Sequence, residues 1–169
     1  EPGQGSGEKP IDPPKPKVEA RDPNETYNVM FIGNSFTYFN DLNHPNGIFA
    51  NIAKTAGYSK VNVSTIYNGG YYLHQFLDRQ DTYGKKVYEA LTSDTKYDVV
   101  IIQEQSSNAI RNPADFYNSC RGLKELIDQN GAEMWLYSTW GYKPGHADLP
   151  TFGPTTAEME MKIRAAYTA

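Results

Sequence analysis

Cysteine is nearly absent from this chain: Cys120 stands alone. A single thiol builds no internal disulfide framework and no thiolate metal site. It falls in a helical pattern, four residues after Phe116 and three before Leu123, and reads as a small buried hydrophobe rather than a catalytic group. Histidine is scarce too. The three present, His44, His74 and His146, have no metal-ligand spacing, so no metal is expected. There is no Lys/Arg run and the formal net charge is −4, which argues against nucleic acid as a partner. No apolar run approaches the roughly 20 residues that cross a bilayer as a helix. Walker A is missing, and the Gly33–Thr37 turn lacks the run of glycines and hydroxyls that cradles phosphate. That leaves a flavodoxin-like phosphate or flavin binder weakly supported, and no cofactor is expected.

Proline is plentiful, but unevenly placed. Residues 1–25 hold six of the eleven prolines, three glycines and almost no large apolar side chain. Such a stretch cannot bury enough surface to offset its ordering entropy. It reads as a stiff, partly polyproline tether. No signal peptide opens the sequence, so the tether leaves room for an upstream segment and suits a protein held off a membrane by its N-terminus. An ordinary disordered tail fits the same composition. An extracytoplasmic location is the expectation. Residues 26–169 fit one domain of the usual size.

The most informative stretch is Tyr27–Phe39, YNVMFIGNSFTYF. Asn28–Ile32 reads as a buried strand that runs into a tight turn at Gly33-Asn34-Ser35. A serine just past a parallel strand sits at the carboxyl edge of the sheet, where open α/β sheets place their ligands. There its hydroxyl can act as a nucleophile beside unpaired N–H groups. It can equally be a capping residue of the next segment.

Further along, Pro45 reads as the first position of a helix with Ile48, Phe49, Ile52, Ala53 and Ala56 on one apolar face, stopped by Gly57. Lys60–Tyr67 reads as the second strand, ended by Asn68-Gly69-Gly70. Thr82–Ser93 is a helix with Val87, Tyr88 and Leu91 inward. Tyr97–Gln103, with its Val-Val-Ile-Ile run, is the strongest strand and implies cover on both faces. A polar loop, Glu104–Asn112, leads to a helix capped by Asn112 with Pro113 first and Gly131 last. Ala132–Thr139 is a fourth strand. A helix capped by Thr155 or Thr156 follows a long loop. Alternation of this kind gives a parallel sheet with helices on both faces, and three informative strand ends open on one edge.

Taken together, the blocks resemble the SGNH (GDSL-type) serine hydrolase superfamily. Gly33-Asn34-Ser35-Phe36-Thr37 looks like its nucleophile block, Gly69-Gly70 like its glycine block, and Gln103-Glu104-Gln105-Ser106 like its third block. With Thr139-Trp140-Gly141 added, the set is similar to a secreted branch of that superfamily, over roughly residues 27–165. The resemblance implies a three-layer α/β/α, flavodoxin-like fold and a serine esterase. Ser35 would be the nucleophile, with the N–H groups of Ser35 and Gly70 and the Gln105 side chain as the oxyanion hole. Gln105 departs from the usual asparagine by one methylene. Asn34, Gly69, His74, Glu104 and His146 would line the site, His146 with Asp148 nearby.

The family takes its base from a late Asp-x-x-His block after a fifth strand. The sequence is read as having neither. The expectation is therefore the N-terminal part of a longer catalytic domain, lacking the last strand and the C-terminal catalytic block. A separate C-terminal fragment carrying the catalytic histidine is one expected partner. The substrate expected from the resemblance and from thirteen tyrosines is an acyl ester, such as an acetyl ester, of a carbohydrate. A non-catalytic glycan-binding or surface-attached module on the same fold is the alternative.

Overall fold

The computed structural model describes residues 21–169. Four parallel strands form one sheet in the order β2-β1-β3-β4. They are β1 (Tyr27–Gly33), β2 (Val61–Tyr67), β3 (Val99–Ile102) and β4 (Glu133–Leu136). The register runs Tyr27 opposite Val61 through Gly33 opposite Tyr67, Ile32 opposite Ile102, and Ile102 opposite Leu136. β1 and β3 are central, and all four residues of β3 are buried. Burying each such Val or Ile contributes about 1.5–3 kcal/mol, which is why the sheet is built around the two most apolar runs of the sequence.

The helices are α1 (Ser35–Tyr38), α2 (Ile48–Thr55), α3 (Thr82–Thr92), α4 (Asn108–Arg111), α5 (Pro113–Asn130), α6 (Leu149–Phe152) and α7 (Thr156–Thr168). Short 3₁₀ turns cover Phe39–Asp41 and Leu73–Phe76. Alternate strand residues feed two cores, as the two-residue period of a strand requires. Met30, Ile32, Val100 and Ile102 pack with Leu73, Phe76, Val87, Leu91, Phe116, Leu123 and Ile127, so α3 and α5 cover that face, joined by Ala166 and Tyr167 of α7. Val29, Phe31, Val63, Val99 and Ile101 face the other way, toward Leu42, Phe49 and Ala50. Cys120 is partly buried against the first core.

This is the expected three-layer, flavodoxin-like α/β/α arrangement. Among the described residues the sheet has no fifth strand, and Trp135 and Leu136 of β4 are 40% and 38% exposed. Most element boundaries follow their punctuation. Asn112 caps α5 by accepting the Asp115 N–H, Pro113 is its first residue, and Gly131 ends it at φ +90°. Thr155 caps α7 by accepting the Glu158 N–H.

Two expectations need correction. Pro45 does not open α2. His44–Gly47 close a turn through the Gly47 N–H to the His44 carbonyl (2.8 Å), and the helix begins only after Gly47. Of its expected inward face, Phe49 packs on the sheet, while Ile48 and Ile52 are 43% and 63% exposed. The Glu104–Asn112 segment is not all loop either, since it contains α4.

Of the expected tether, residues 1–20 lie outside the described residues. Residues 21–25 lie against the domain: Arg21 pairs with Glu133 (2.8 Å), its carbonyl accepts the Tyr58 hydroxyl (3.1 Å), and Lys60 donates to the Asn24 carbonyl (3.0 Å). No helix among the described residues is long and apolar enough to cross a membrane.

Candidate active site at the carboxyl edge of the sheet

The chain leaves β1 toward one face, through α2 to β2, and then crosses to the other face through α3 to β3. The carboxyl ends of β1 and β3 are therefore the topological switch point of the sheet. Open α/β sheets bind ligands there because the two diverging connections leave a gap above the strand ends. Ser35 follows β1 by two residues and Gln105 follows β3 by three.

The Ser35 turn is held from below. Gln103, only 1% exposed, accepts the Asn34 N–H (3.0 Å) and the Thr37 hydroxyl (2.8 Å) on Oε1, and its Nε2 donates to the Glu104 carbonyl. Gly33 makes this possible. A Cβ there would stand 2.1 Å from Thr37 Oγ1 and 2.9 Å from Gln103 Oε1. Asn34 is equally enclosed. Its Oδ1 accepts the Phe36 N–H (3.3 Å) and its Nδ2 donates to the Tyr71 carbonyl (2.8 Å), which ties the turn to the loop after β2. Ser35, the residue read as either nucleophile or cap, is the first residue of α1, and the capping oxygen belongs to Asn34. The Ser35 hydroxyl and N–H make no hydrogen bond among the described residues.

The loop after β2 carries Gly69 and Gly70, both exposed. Gly70 adopts φ +74°, a backbone that L side chains rarely take, and its N–H is likewise without a partner among the described residues. After β3, Gln105 is half-buried. Its N–H donates to Glu104 Oε1 (2.6 Å) and its own Oε1 accepts the Ser107 N–H (3.4 Å), leaving its side-chain NH₂ without a partner among the described residues. Glu104 has no exposed surface. It accepts N–H groups from Leu73 (3.0 Å) and Gln105, and Asn108 Nδ2 (3.0 Å). Burial raises its carboxyl above the usual glutamate range, those three donors pull it back, and Asp115 adds a further push upward. All its partners are donors, as an ionised carboxylate requires.

Each histidine has partners of its own. His74 Nδ1 faces Asp115 Oδ2 at 3.1 Å, its ring stacks on Tyr72, and Asp115 also accepts Asn108 Nδ2 (2.8 Å). His146 stacks on Tyr142 with centroids 4.1 Å apart, and its Nδ1 accepts the backbone N–H of Asp148 (3.2 Å). The Asp148 carboxylate is not the partner, so His146 and Asp148 do not form the His–carboxylate pair their spacing suggests. Asp41 to His44 does have the Asp-x-x-His spacing that the sequence reading denies, in the turn after Ser35. There Asp41 is exposed at φ +56° and His44 Nδ1 accepts the Asn46 N–H (3.2 Å). Among the described residues no group of three His, Cys, Asp or Glu is placed to hold a metal.

The loop after β4 closes over the same edge. Trp140 stands edge-on to Phe36, the residue after Ser35, with centroids 4.5 Å apart. Tyr38 and Tyr67 pair at 4.7 Å beside Gly69. Thr139 donates to the Ser106 carbonyl (2.7 Å) and the Ser106 hydroxyl to Tyr142 (2.9 Å), which fasten this loop to the end of β3. The sequence reading missed Gln103, which passed as the last residue of a strand. The signal was a polar residue ending a run of four fully apolar ones.

No protein-family model matches the sequence, and no curated protein matches it. Solved structures do. A candidate SGNH hydrolase from Slackia heliotrinireducens superposes with a TM-score of 0.69 at 24% identity, over 85% of this chain and 73% of that one. A DUF4886 family protein from Bacteroides uniformis gives 0.61 at 18% identity, over 85% of this chain and 62% of that one. The YxiM protein of Bacillus subtilis gives 0.50 at 16% identity, over 84% and 41%. The chain thus spans less than two thirds of two of these three neighbours. The fold that these residues build is the SGNH hydrolase fold.

Proposed function

We propose that this chain carries the nucleophile and oxyanion-hole part of a serine ester hydrolase. The observation that carries this is the set of groups placed at the switch point. A Ser35 hydroxyl stands there with three donors on loops fastened to one another, the N–H groups of Ser35 and Gly70 and the Gln105 amide, all without a partner among the described residues. Ser35 Oγ attacks the ester carbonyl and gives its proton to a base. The carbonyl oxygen becomes an oxyanion received by the three donors. The proton then passes to the departing alcohol, and water hydrolyses the acyl-enzyme by the same steps. Each donor is worth about 3 kcal/mol of transition-state stabilisation. No histidine among the described residues is hydrogen-bonded to Ser35, and we assign the base to a segment beyond the described residues or to another chain.

The substrate we assign is an acyl ester of a carbohydrate, acetyl being the simplest acyl group. Tyr38, Tyr67 and Trp140 support this reading: they are 39%, 40% and 45% exposed on the Ser35 edge, where flat aromatic faces can stack on sugar rings. The Pro-rich residues 1–25 fit an extracytoplasmic protein standing off a surface. A glycan-binding module without turnover is the second reading, favoured by the absence, among the described residues, of a base hydrogen-bonded to Ser35.

Labelling with a fluorophosphonate probe, followed by peptide mapping, tests the proposal. The full-length protein should carry the adduct on Ser35 and hydrolyse acetylated sugars, and Ser35→Ala should abolish both. Ester hydrolysis that survives Ser35→Ala refutes the enzyme reading. Glycan binding without labelling or turnover supports the module.

A further inference from the structure

Glu104 takes no part in the chemistry proposed above, yet it is the most enclosed carboxylate near the site. A buried charge is costly, and an apolar residue of its size would avoid that cost. What Glu104 does instead is join two loops. Its Oε1 receives two backbone N–H groups from different segments, Leu73 at 3.0 Å and Gln105 at 2.6 Å. Leu73 opens the 3₁₀ turn three residues after Gly70 and is itself fully buried, so fixing its N–H fixes the end of the glycine loop. Gln105 carries the side-chain donor of the oxyanion hole. Asn108 holds the second oxygen, Oε2, at 3.0 Å and is in turn anchored on Asp115 at 2.8 Å, so the carboxylate cannot rotate away.

We propose that Glu104 is a positioning residue for the oxyanion hole: one carboxylate oxygen sets the spacing between the loop that bears Gly70 and the backbone that bears Gln105. The proposal rests on the hydrolase reading. Oxyanion donors act only when fixed in advance at the place where charge develops, so loosening them reduces the rate of the chemical step more than it weakens ground-state binding. A residue that merely supported the fold would not separate kcat from KM in this way.

The test uses the full-length protein with an aryl acetate as substrate, in four forms: wild type, Ser35→Ala, Glu104→Gln and Glu104→Leu. Glutamine keeps an Oε1 for the Leu73 and Gln105 N–H groups but sets its Nε2 against the Asn108 Nδ2 donor, so Glu104→Gln should lose about tenfold in kcat, clearly less than Glu104→Leu. Glu104→Leu should lose about 100-fold in kcat with KM within about threefold, and amide exchange at Leu73 and Gln105 should accelerate in this variant alone.

Wild-type kcat in Glu104→Leu, in a series where Ser35→Ala is inactive, overturns the positioning role and leaves the hydrolase reading standing. Equal losses in the Gln and Leu variants overturn it as well, because the retained acceptor then rescues nothing. Turnover that survives Ser35→Ala refutes the hydrolase reading itself and the proposal with it. If Glu104→Leu has no cooperative thermal transition, Asn108→Ala replaces it. That variant frees Oε2 and should lower kcat about tenfold at unchanged KM, and an unchanged kcat overturns the proposal.

Discussion

Replacing Gln103 with leucine should be among the most damaging near-isosteric changes in this protein. The side chain is 1% exposed and satisfies two buried donors at once, the Asn34 N–H and the Thr37 hydroxyl, in residues that are 1% and 0% exposed. Leucine fills the space and removes the acceptor. Each donor left unpaired in the interior costs about 1–3 kcal/mol. Recovered apolar burial offsets little of that, which leaves a net loss of about 2–5 kcal/mol against a total stability of about 5–15 kcal/mol. Urea unfolding followed by the fluorescence of Trp135 and Trp140 reads this directly. With an m-value of about 1–3 kcal/mol/M, a 3 kcal/mol loss moves the midpoint down by about 1–3 M at unchanged slope. A double-mutant cycle sharpens the test. Thr37→Val alone should cost about 1 kcal/mol, but in the Gln103→Leu background it should restore about 1 kcal/mol, because the orphaned hydroxyl is gone. A Gln103→Leu loss below about 0.5 kcal/mol, or strict additivity in the cycle, would refute the reasoning.

Three further outcomes follow from the same geometry. Gly33→Ala places a methyl 2.1 Å from Thr37 Oγ1 and should destabilise by about 1–3 kcal/mol, seen as a lower thermal midpoint; an unchanged midpoint contradicts it. Burial raises the Glu104 carboxyl, so its contribution to stability is fully present below the ordinary glutamate value and is lost as pH rises through the elevated one. Glu104→Gln should therefore gain stability relative to wild type as pH rises across that window in parallel urea titrations; a difference that is flat with pH means the donors cancel burial, and one that falls means they outweigh it, and either refutes the upward shift. The Cys120 thiol is pushed up to about 12 by burial. Iodoacetamide at pH 8 should therefore label it about 100-fold more slowly in the native protein than in urea, and equal rates would mean the thiol is open to solvent.

Much of the fold was legible because it is written in strong local signals. The Val-Val-Ile-Ile run, the Asn112-Pro113 start and the Gly131 stop each have one dominant physical reading, and the structure follows them. The failures lie where tertiary context decides. Pro45 fits a helix start by itself, but the His44–Gly47 turn uses it first. Ile48 and Ile52 have helical spacing with Phe49, and spacing alone does not say which side of a helix meets the sheet. His146 and Asp148 are close in sequence, yet the imidazole takes a backbone N–H and leaves the carboxylate out. Sequence proximity brings side chains near each other without aiming them.

The third block shows the same limit at the site itself. Gln103, Glu104 and Gln105 are consecutive polar residues after a buried strand, and in the sequence they look like the beginning of a loop. In the structure their side chains serve different parts of one edge. Gln103 fastens the Ser35 turn, Glu104 fastens the glycine loop, and Gln105 keeps an amide without a partner among the described residues. Two of the three are fully enclosed. Enclosed polar side chains with several backbone partners each define distances between loops more sharply than apolar packing does, because a hydrogen bond weakens within a few tenths of an ångström and a change of angle. The oxyanion hole proposed above, with three donors at one oxygen, requires that kind of constraint. The run Gln-Glu-Gln, rather than the serine alone, is therefore where the organisation of this edge is encoded.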